Sequence, residues 1–220
     1  MNHDLPTPQR ALAIGAHPDD VEIGAGGALA VHADLGHDIA ILTLCRGSRG
    51  GEAERRAAES QAAARILSAE LYLEDLEDTG IGEGDPTISA ITRVIDAVAP
   101  TTVYTHSIHD VHQDHRNTHS AVMAAAQDVG RLYCYQSPSA TVDFRPTRFV
   151  SIDRQLERKL QAIASFDSQV EVRTYLEPDL IQSIARSWSR FADGRYAEAF
   201  EVIRDRADMT AGKRERAASH

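Results

Sequence analysis

The sequence predicts a doubly wound α/β fold, in which a mostly parallel, Rossmann-like sheet is flanked by helices on both faces. Apolar strand-like runs alternate with helical segments along most of the chain. These runs are continuously apolar, as is typical of parallel strands buried on both faces. The length of 220 residues and the 42% hydrophobic composition suffice for one core. We therefore expect a single domain over residues 1–220, with a core of about residues 11–204.

The first part of the chain opens on a short apolar run, ALAIGA at 11–16, which suits a buried strand. Small residues at 25–35 predict a helix that ends at Gly36. The run IAILTL at 39–44 predicts the second strand. A loop rich in glycine and arginine then precedes AAESQAAARIL at 57–67, a strong helix by propensity.

The same alternation continues through the rest of the chain. A third strand is expected at 70–73, followed by an amphipathic helix at 87–98 that Pro100 stops. The remaining predicted strands are 102–105, 131–136 and 149–152. The remaining predicted helices are 116–128, 154–166 and 178–190. The polar first nine residues and the tail from about Asp205 lack apolar periodicity, and we expect both to be mobile.

Composition excludes several classes of protein. The chain has 33 acidic and 23 basic residues and a net charge of −10, which argues against a nucleic-acid binder. No run approaches the roughly 18 apolar residues that span a bilayer, and the polar N-terminus is unlike a signal peptide. Cys45 and Cys134 lie in apolar runs without metal-binding spacing. We therefore expect a soluble cytoplasmic protein with reduced cysteines.

Three polar clusters directly follow predicted strands. They are AHPDD at 16–20, RGSRGG at 46–51 and the segment 106–119, which holds five of the ten histidines. Ligands of doubly wound folds bind beyond the carboxyl ends of the strands. We therefore expect the three clusters to meet at one edge of the sheet.

The first cluster combines His17, Asp19 and Asp20. One aspartate alone would be explained by a turn or a helix N-cap. That explanation does not account for a histidine and two adjacent carboxylates, whose side chains point in different directions and can have different roles. The cluster is therefore a candidate for metal binding and catalysis.

The second cluster contains the histidines His106, His109, His112, His115 and His119, with two aspartates. His115 and His119 share a face if a helix begins at His115. Imidazole and carboxylate suit zinc and other first-row metals, and a catalytic zinc needs three protein ligands and an open position. The two clusters together can supply two histidines and one aspartate, a set that also suits Fe²⁺. The ligands alone leave the metal open.

The sequence offers little support for two other kinds of site, a dinucleotide-binding site and a serine hydrolase site. A dinucleotide site needs a glycine-rich turn directly after the first strand, but Gly24, Gly26 and Gly27 come well after it. No G-x-S-x-G elbow of a serine hydrolase is present.

With these clusters in place, the segment AHPDDVEIGAGGALA resembles the opening motif of the PIG-L/LmbE-like zinc-dependent N-deacetylases. That family acts mostly on compounds containing N-acetylglucosamine. The segment HDVHQDHRNTH resembles the second motif of the family, with Gln113 where proline is more common. Supporting similarity in LTLCRGSRGGEAERRAAES, SFDSQ and RYAEAF extends the resemblance over about residues 11–204.

The resemblance implies a role for each matching position. His17, Asp20 and His115 match the zinc ligands, and Asp19 matches the general base that takes a proton from the attacking water. His112 matches the histidine that steadies the oxyanion or protonates the leaving amine.

The resemblance also implies supporting roles. Asp114 fits a carboxylate that holds a histidine in the needed tautomer. Arg56, or its neighbour Arg55, matches an arginine that contacts the sugar just before the helix. His119 fits a supporting residue, whereas His106 and His109 receive no role.

The function implied is a Zn²⁺-dependent hydrolase that releases acetate from an N-acetylglucosamine-type amino sugar or its conjugate. Two alternatives stay open: an amidase that removes a larger acyl group, and a non-catalytic module that binds metal or sugar. The expected partner is a small-molecule amino sugar. A homo-oligomer is common among relatives, although no apolar stripe in the sequence specifies one.

Overall fold

The computed structural model describes residues 9–206, where seven strands form one sheet. The strands are β1 Arg10–Gly15, β2 Asp38–Cys45, β3 Glu70–Leu76, β4 Thr102–His106, β5 Arg131–Tyr135, β6 Arg148–Ser151 and β7 Ala197–Asp205. The segments 1–8 and 207–220, which fall within the termini expected to be mobile, lie outside the described residues.

Seven α-helices connect these strands within residues 9–206. They are α1 Asp20–Asp34, α2 Ala53–Leu67, α3 Thr87–Val98, α4 Gln113–Ala125, α5 Leu156–Ala164, α6 Asp167–Val170 and α7 Pro178–Trp188. Short 3-10 turns lie at Thr174–Leu176 and Ser189–Phe191. None of the helices in this range is long and apolar enough to cross a membrane.

The predicted doubly wound, mostly parallel architecture is confirmed. The strand order is β3-β2-β1-β4-β5-β7-β6, and the first five strands are parallel. The chain runs outward from β1 in both directions, so the switch point lies between β1 and β4. At the other end, β7 runs antiparallel between β5 and β6.

Alternate residues of β1 enter two separate cores, one on each face of the sheet. Ala11 and Ala13 pack on the face covered by α1, α2 and α5. Leu12 and Ile14 pack on the face covered by α3 and α4. Burial on both faces explains why β1 and β2 are continuously apolar.

The predicted starts of three helices were wrong. Helix α1 begins at residue 20 rather than 25, α2 at 53 rather than 57, and α4 at 113 rather than 116. In α1, Gly24 and Gly27 disfavour a helix by propensity but allow close packing. A Cβ on Gly24 would lie 2.2 Å from the Tyr135 ring, and one on Gly27 would lie 2.8 Å from Ile152.

Strand β7 was not predicted. Its sequence AEAFEVIRD carries charged residues that interrupt an apolar strand pattern. The structure buries Glu198 to 4% exposure and pairs it with Lys159, and Glu201 accepts a hydrogen bond from Ser107 Oγ at 2.6 Å. These partners lie far away in the sequence, so the local pattern gave no signal.

Candidate active site

The three polar clusters meet at the carboxyl edge of the parallel strands, as predicted. His17 follows β1, the glycine-rich loop follows β2, and the histidine segment follows β4. All three line one pocket of about 380 Å³, whose walls include His17, Asp19, Asp20, Arg56, His112 and His115. Asp78, which follows β3 and received no role from the sequence, also lines this pocket.

The turn between β1 and α1 directs the two adjacent carboxylates differently. Asp19 has a left-handed backbone conformation with φ of 89° and makes no side-chain capping bond. A positive φ is uncommon at residues other than glycine. It occurs at functional sites and also at helix C-termini, as at Ser68 and Ala99 of this chain. Asp20 Oδ2 instead accepts a hydrogen bond from the His17 backbone N–H at 2.8 Å. A simple N-cap therefore does not explain Asp19.

Both predicted histidine ligands face the carboxylate of Asp20. His17 Nδ1 lies 3.4 Å from Asp20 Oδ2, and His115 Nε2 lies 3.3 Å from Asp20 Oδ1. Neighbouring ligands of a tetrahedral zinc stand about 3.3 Å apart, given Zn–N and Zn–O bonds of about 2.0–2.1 Å. The donor types and these two distances suit a divalent metal. Two groups within residues 9–206 bring their ligand atoms within 4.8 Å of one another here: His17 with His112 and His115, and Asp20 with His106 and His115. Each group holds two of the three predicted ligands.

The remaining nitrogen of each of these histidines is held by carboxylates. His17 Nε2 lies 3.1 Å from Asp114 Oδ2 and 3.4 Å from Asp78 Oδ1. His115 Nδ1 lies 2.9 Å from Asp110 Oδ2. Carboxylates that hold the far nitrogen are the usual support of metal-binding histidines. The contact expected for Asp114 is present, and Asp78 and Asp110 extend it.

Asp110 is itself fixed by four groups. Besides His115, its carboxylate accepts hydrogen bonds from the His112 N–H at 2.8 Å, from Ser139 Oγ at 2.7 Å and from Ser137 Oγ. Asp110 lies inside the histidine segment, so its position in the sequence was a usable signal. Ser137 and Ser139 follow β5 and carried none.

The charges of the site shift the pKa values of its histidines. His115 has a pKa raised to about 9, because the attraction of Asp20 and Asp110 outweighs the opposing effect of burial. The pKa of His17 is also raised, against burial, by hydrogen bonds to Asp114 and Asp20. Protons and a metal therefore compete for these nitrogens.

Asp19 is 5% exposed, and its carboxyl has a pKa raised to about 7. Burial is the main cause and the charge of Asp20 adds to it, while Arg56 acts in the opposite direction. A carboxylate with a pKa near neutrality can take up and release a proton at physiological pH.

Arg56 lies in the first turn of α2 rather than before the helix, and is 4% exposed. Its Nη2 donates to the Pro18 carbonyl at 2.7 Å and lies 3.5 Å from Asp19 Oδ2. The loop after β2 wraps closely around it, since a Cβ on Gly47 or Gly50 would lie 2.5 Å from the guanidinium.

The side chain of Arg55 is 51% exposed and pairs with Glu59. Of the two arginines, Arg56 is the one that lines the pocket.

His112 is the N-cap of α4, and its Nδ1 accepts a hydrogen bond from the Asp114 backbone N–H at 3.2 Å. Its ring stacks on His115 with centroids 4.4 Å apart and lies 4.8 Å from the ring of His17. The pKa of His112 is lowered by burial and by the charges of His115 and His17. These features favour a neutral imidazole with its proton on Nε2.

The other histidines of the segment separate into supporting and peripheral groups. His106 is fully buried, its Nε2 lies 3.1 Å from Asp20 Oδ2, and burial lowers its pKa to about 4. His119 Nδ1 donates to the His106 carbonyl at 2.9 Å, so it contacts the backbone at the end of β4, and its supporting role stays a prediction. The side chain of His109 is 44% exposed. Contact of His106 with Asp20 was missed by sequence reasoning.

Two of the three weaker sequence similarities, SFDSQ and the segment that contains the glycine-rich loop, also meet at this edge. Glu59 accepts hydrogen bonds from the backbone N–H and the hydroxyl of Ser168, at 2.8 and 2.7 Å. Gln169 donates to the carbonyl of Gly50 at 3.0 Å. The SFDSQ segment thereby closes the glycine-rich loop over Arg56.

Comparison with known proteins identifies relatives across most of the chain. The PIG-L family model, described as GlcNAc-PI de-N-acetylase, matches residues 12–126. The chain is 33% identical over 152 residues to the uncharacterized deacetylase YaiS of Escherichia coli K12, covering 66% of this chain and 82% of YaiS. It is 27% identical over 231 residues to the diacetylchitobiose deacetylase of Thermococcus kodakarensis, covering 92% of this chain and 86% of that protein.

The same fold occurs in an enzyme whose name gives a different reaction. GalB, the 4-carboxy-2-hydroxymuconate hydratase of Pseudomonas putida KT2440, has a TM-score of 0.75 and 24% identity, covering 90% of this chain and 98% of GalB. The segment matched by the family model spans more than half of the chain and includes both polar clusters that converge on Asp20. The chain belongs to the PIG-L family of de-N-acetylases.

Proposed function

We propose that this chain is a metal-dependent N-deacetylase that releases acetate from an N-acetylated amino sugar or its conjugate. The single observation that carries the proposal is the placement of Asp20 between His17 and His115, with Asp19 beside it in the same pocket. Membership of the PIG-L family supports the reaction, and the deacetylase relatives support an amino-sugar substrate. We place the reaction in the cytoplasm, because Cys45 and Cys134 are unpaired thiols, as is usual in a reducing compartment.

His17, Asp20 and His115 would hold the metal, for which we propose zinc, with iron(II) as the other ion that this ligand set suits. When bound, such an ion polarises the substrate carbonyl and lowers the pKa of water from about 15.7 toward about 7. Asp114, Asp78 and Asp110 would fix the two histidine rings so that the correct nitrogen faces the ion.

Asp19 is suited to move the proton of the reaction. Its pKa of about 7 allows the carboxylate to accept a proton from the attacking water and to give it to the departing amine. Arg56 holds the Pro18 carbonyl and lies beside Asp19, so it keeps the base in position. Asp19 is therefore the better candidate for protonating the leaving amine.

His112 is suited to stabilise charge rather than to transfer a proton. Because Nδ1 accepts a hydrogen bond from the backbone, Nε2 carries the proton of the neutral ring. That N–H can donate to the oxygen of the scissile amide as negative charge develops. Loss of one such donor typically lowers kcat by about 10²–10³.

The proposal is tested by measuring acetate release from methyl N-acetylglucosaminide by zinc-loaded enzyme. The control is Asp19→Asn, which keeps the shape of the side chain but cannot act as a base. We expect turnover by the wild type and loss of turnover, with zinc retained, in the variant. Equal turnover by both proteins would contradict the assigned chemistry.

A hydratase is the second candidate function. Three arginines, Arg49, Arg56 and Arg173, line the pocket and could meet the carboxylates of an unsaturated tricarboxylic acid. The fold likeness to GalB makes this candidate worth testing in the same preparation. Loss of ultraviolet absorbance from an unsaturated tricarboxylate, without acetate release from the amino sugar, would favour hydration over deacetylation.

A further inference from the structure

A second cavity, of about 300 Å³, adjoins the catalytic pocket and is lined mainly by apolar side chains. One wall is a single face of α7, formed by Leu180, Ile181, Ile184, Ala185 and Trp188. The spacing of these residues is that of one face of a helix. We call this cavity the α7 pocket.

The α7 pocket lies directly beside the catalytic pocket. Pro138 and Tyr175 line both cavities. Ile23 and Gly24 of α1 line the α7 pocket, one helical turn beyond Asp19 and Asp20. One turn corresponds to about 5.4 Å along the helix axis. The second cavity therefore begins where a ligand held at Asp20 would reach Tyr175.

The charged groups of the α7 pocket are paired with one another. Lys159 contacts Glu198 and donates to the Ile23 carbonyl. The Glu198 carboxylate also accepts hydrogen bonds from the backbone N–H groups of Gly27 and Ala28. Because the buried pair neutralises itself, the pocket presents no net charge to a ligand.

Part of the apolar lining is left uncovered by the protein. Leu180 and Ile184 are 41% and 40% exposed, whereas Ile181 and Ala185 on the same helix face are each 4% exposed. The indole N–H of Trp188 donates to Gln136 at 2.9 Å, so its polar edge has a partner. An apolar group in the cavity would remove the exposed parts of Leu180 and Ile184 from water, which is favourable.

We propose that the α7 pocket binds an uncharged, apolar aglycone of the amino sugar whose N-acetyl group lies in the catalytic pocket. This assignment rests on the proposed deacetylase reaction. In that reaction the two-carbon acetyl group lies at the reacting centre, so the other end of the substrate is the part that reaches the cavity. A volume of about 300 Å³ lies at the lower end of the range of small-molecule pockets, about 300–1,000 Å³, and suits a short apolar group.

The binding test uses alkyl glucosaminides, which lack the acetyl group and are not turned over. Methyl, butyl and octyl glucosaminides are titrated into the zinc-loaded enzyme, and binding is followed by the fluorescence of Trp188, the single tryptophan of the chain. Affinity should rise about fourfold for each buried CH₂ group until the cavity is full. Equal affinity for the methyl and octyl compounds would overturn the proposal.

Variants of two apolar residues of similar exposure assign the effect to the pocket. Ile184→Asn should lower the affinity for the octyl compound at least tenfold and leave that for the methyl compound unchanged. The matched control is Ile203→Asn, because Ile203 is 46% exposed on β7 and does not line the cavity. If both variants behave like the wild type, the α7 pocket is not the binding site.

Activity measurements separate this proposal from the function on which it rests. Acetate release from methyl N-acetylglucosaminide without any chain-length dependence would contradict the pocket assignment alone. Chain-length dependence that Ile184→Asn removes, without acetate release, would contradict the proposed reaction and support the pocket. Faster cleavage of an N-octanoyl than of an N-acetyl methyl glucosaminide would assign the cavity to the acyl group and overturn the aglycone proposal.

Discussion

The two pockets lie side by side but are built in opposite ways. The catalytic pocket lies at the ends of parallel strands, and its titratable groups contact one another, as in the contacts of His17 and His115 with carboxylates. The α7 pocket lies beside the antiparallel strand β7, and its lining is mainly apolar, with a self-paired lysine and glutamate as its charged groups. The contrast indicates a division between reaction and recognition. Changes in the first pocket should alter metal binding and rate, and changes in the second should alter substrate preference.

The largest effects are expected from the metal ligands. His17→Ala and His115→Ala should each lose bound zinc and reduce acetate release to background, because two ligands do not retain a catalytic zinc. Emission spectroscopy measures the metal, and Ile203→Asn serves as a folded control. Stoichiometric zinc in either alanine variant would refute the ligand assignment. If these variants keep the preference of the wild type for the octyl over the methyl glucosaminide, the two pockets act separately.

The next largest effect is expected from Asp19→Asn. We expect kcat to fall about 10²–10⁴-fold with zinc content unchanged, since the variant loses only proton transfer. In the wild type, the raised pKa means that the basic form of Asp19 is lost as pH falls below about 7. The rate should therefore decline on the acidic side of about pH 7, and the residual rate of the variant should lack this decline. A variant that retains the same acidic limb would assign that limb to another group.

The same contrast explains what could be predicted from the sequence. Asp19, Asp20 and His115 lie in short motifs directly after strands, and parallel strand ends necessarily meet at one edge. The fold class and the convergence of the site therefore followed from local pattern. The start of α1 did not, because Gly24, which precedes the predicted helix, is explained by close packing on Tyr135 rather than by propensity.

The α7 pocket depends on packing between distant segments and gave no local signal. Ile23 and Trp188 line it from opposite ends of the chain. From the sequence, Glu198 of β7 would be expected on the surface, but it is buried against Lys159. Ser137, which supports Asp110, is likewise placed by the fold alone. The residues of the catalytic pocket could therefore be predicted from motifs, whereas those of the α7 pocket could be found only from the tertiary structure.

A smaller effect is expected from the carboxylate that holds His115. Asp110→Asn should weaken zinc affinity about 10–100-fold, because the ring loses a charged hydrogen-bond acceptor. Competition with a chromophoric chelator measures this change. Ser139→Ala is the graded control, since it removes one of several donors to Asp110 and should have a smaller effect. Equal zinc affinity in Asp110→Asn and wild type would show that Asp110 does not support the metal.

The smallest effect concerns His32, which lies near the end of α1 and lines neither pocket. Burial and the charge of His37 lower the pKa of His32 to about 4, below its ordinary value of about 6.5. Between these values the unfolded chain binds a proton that the folded protein does not, so stability falls as pH decreases from about 6.5 toward 4.

Because His32 is partly exposed, we expect it to account for a loss of about 1–2 kcal/mol in the free energy of unfolding between pH 7 and pH 5. Urea unfolding at the two pH values measures this loss. His32→Gln should reduce the loss, and His109→Gln controls for removing a histidine from the chain. Acetate release and alkyl selectivity should stay unchanged in His32→Gln, because α1 contributes to both pockets only through its first turns. A change in acetate release or in alkyl selectivity would show that the far end of α1 is coupled to the pockets. The roles of the helix could then no longer be assigned to its first turns alone.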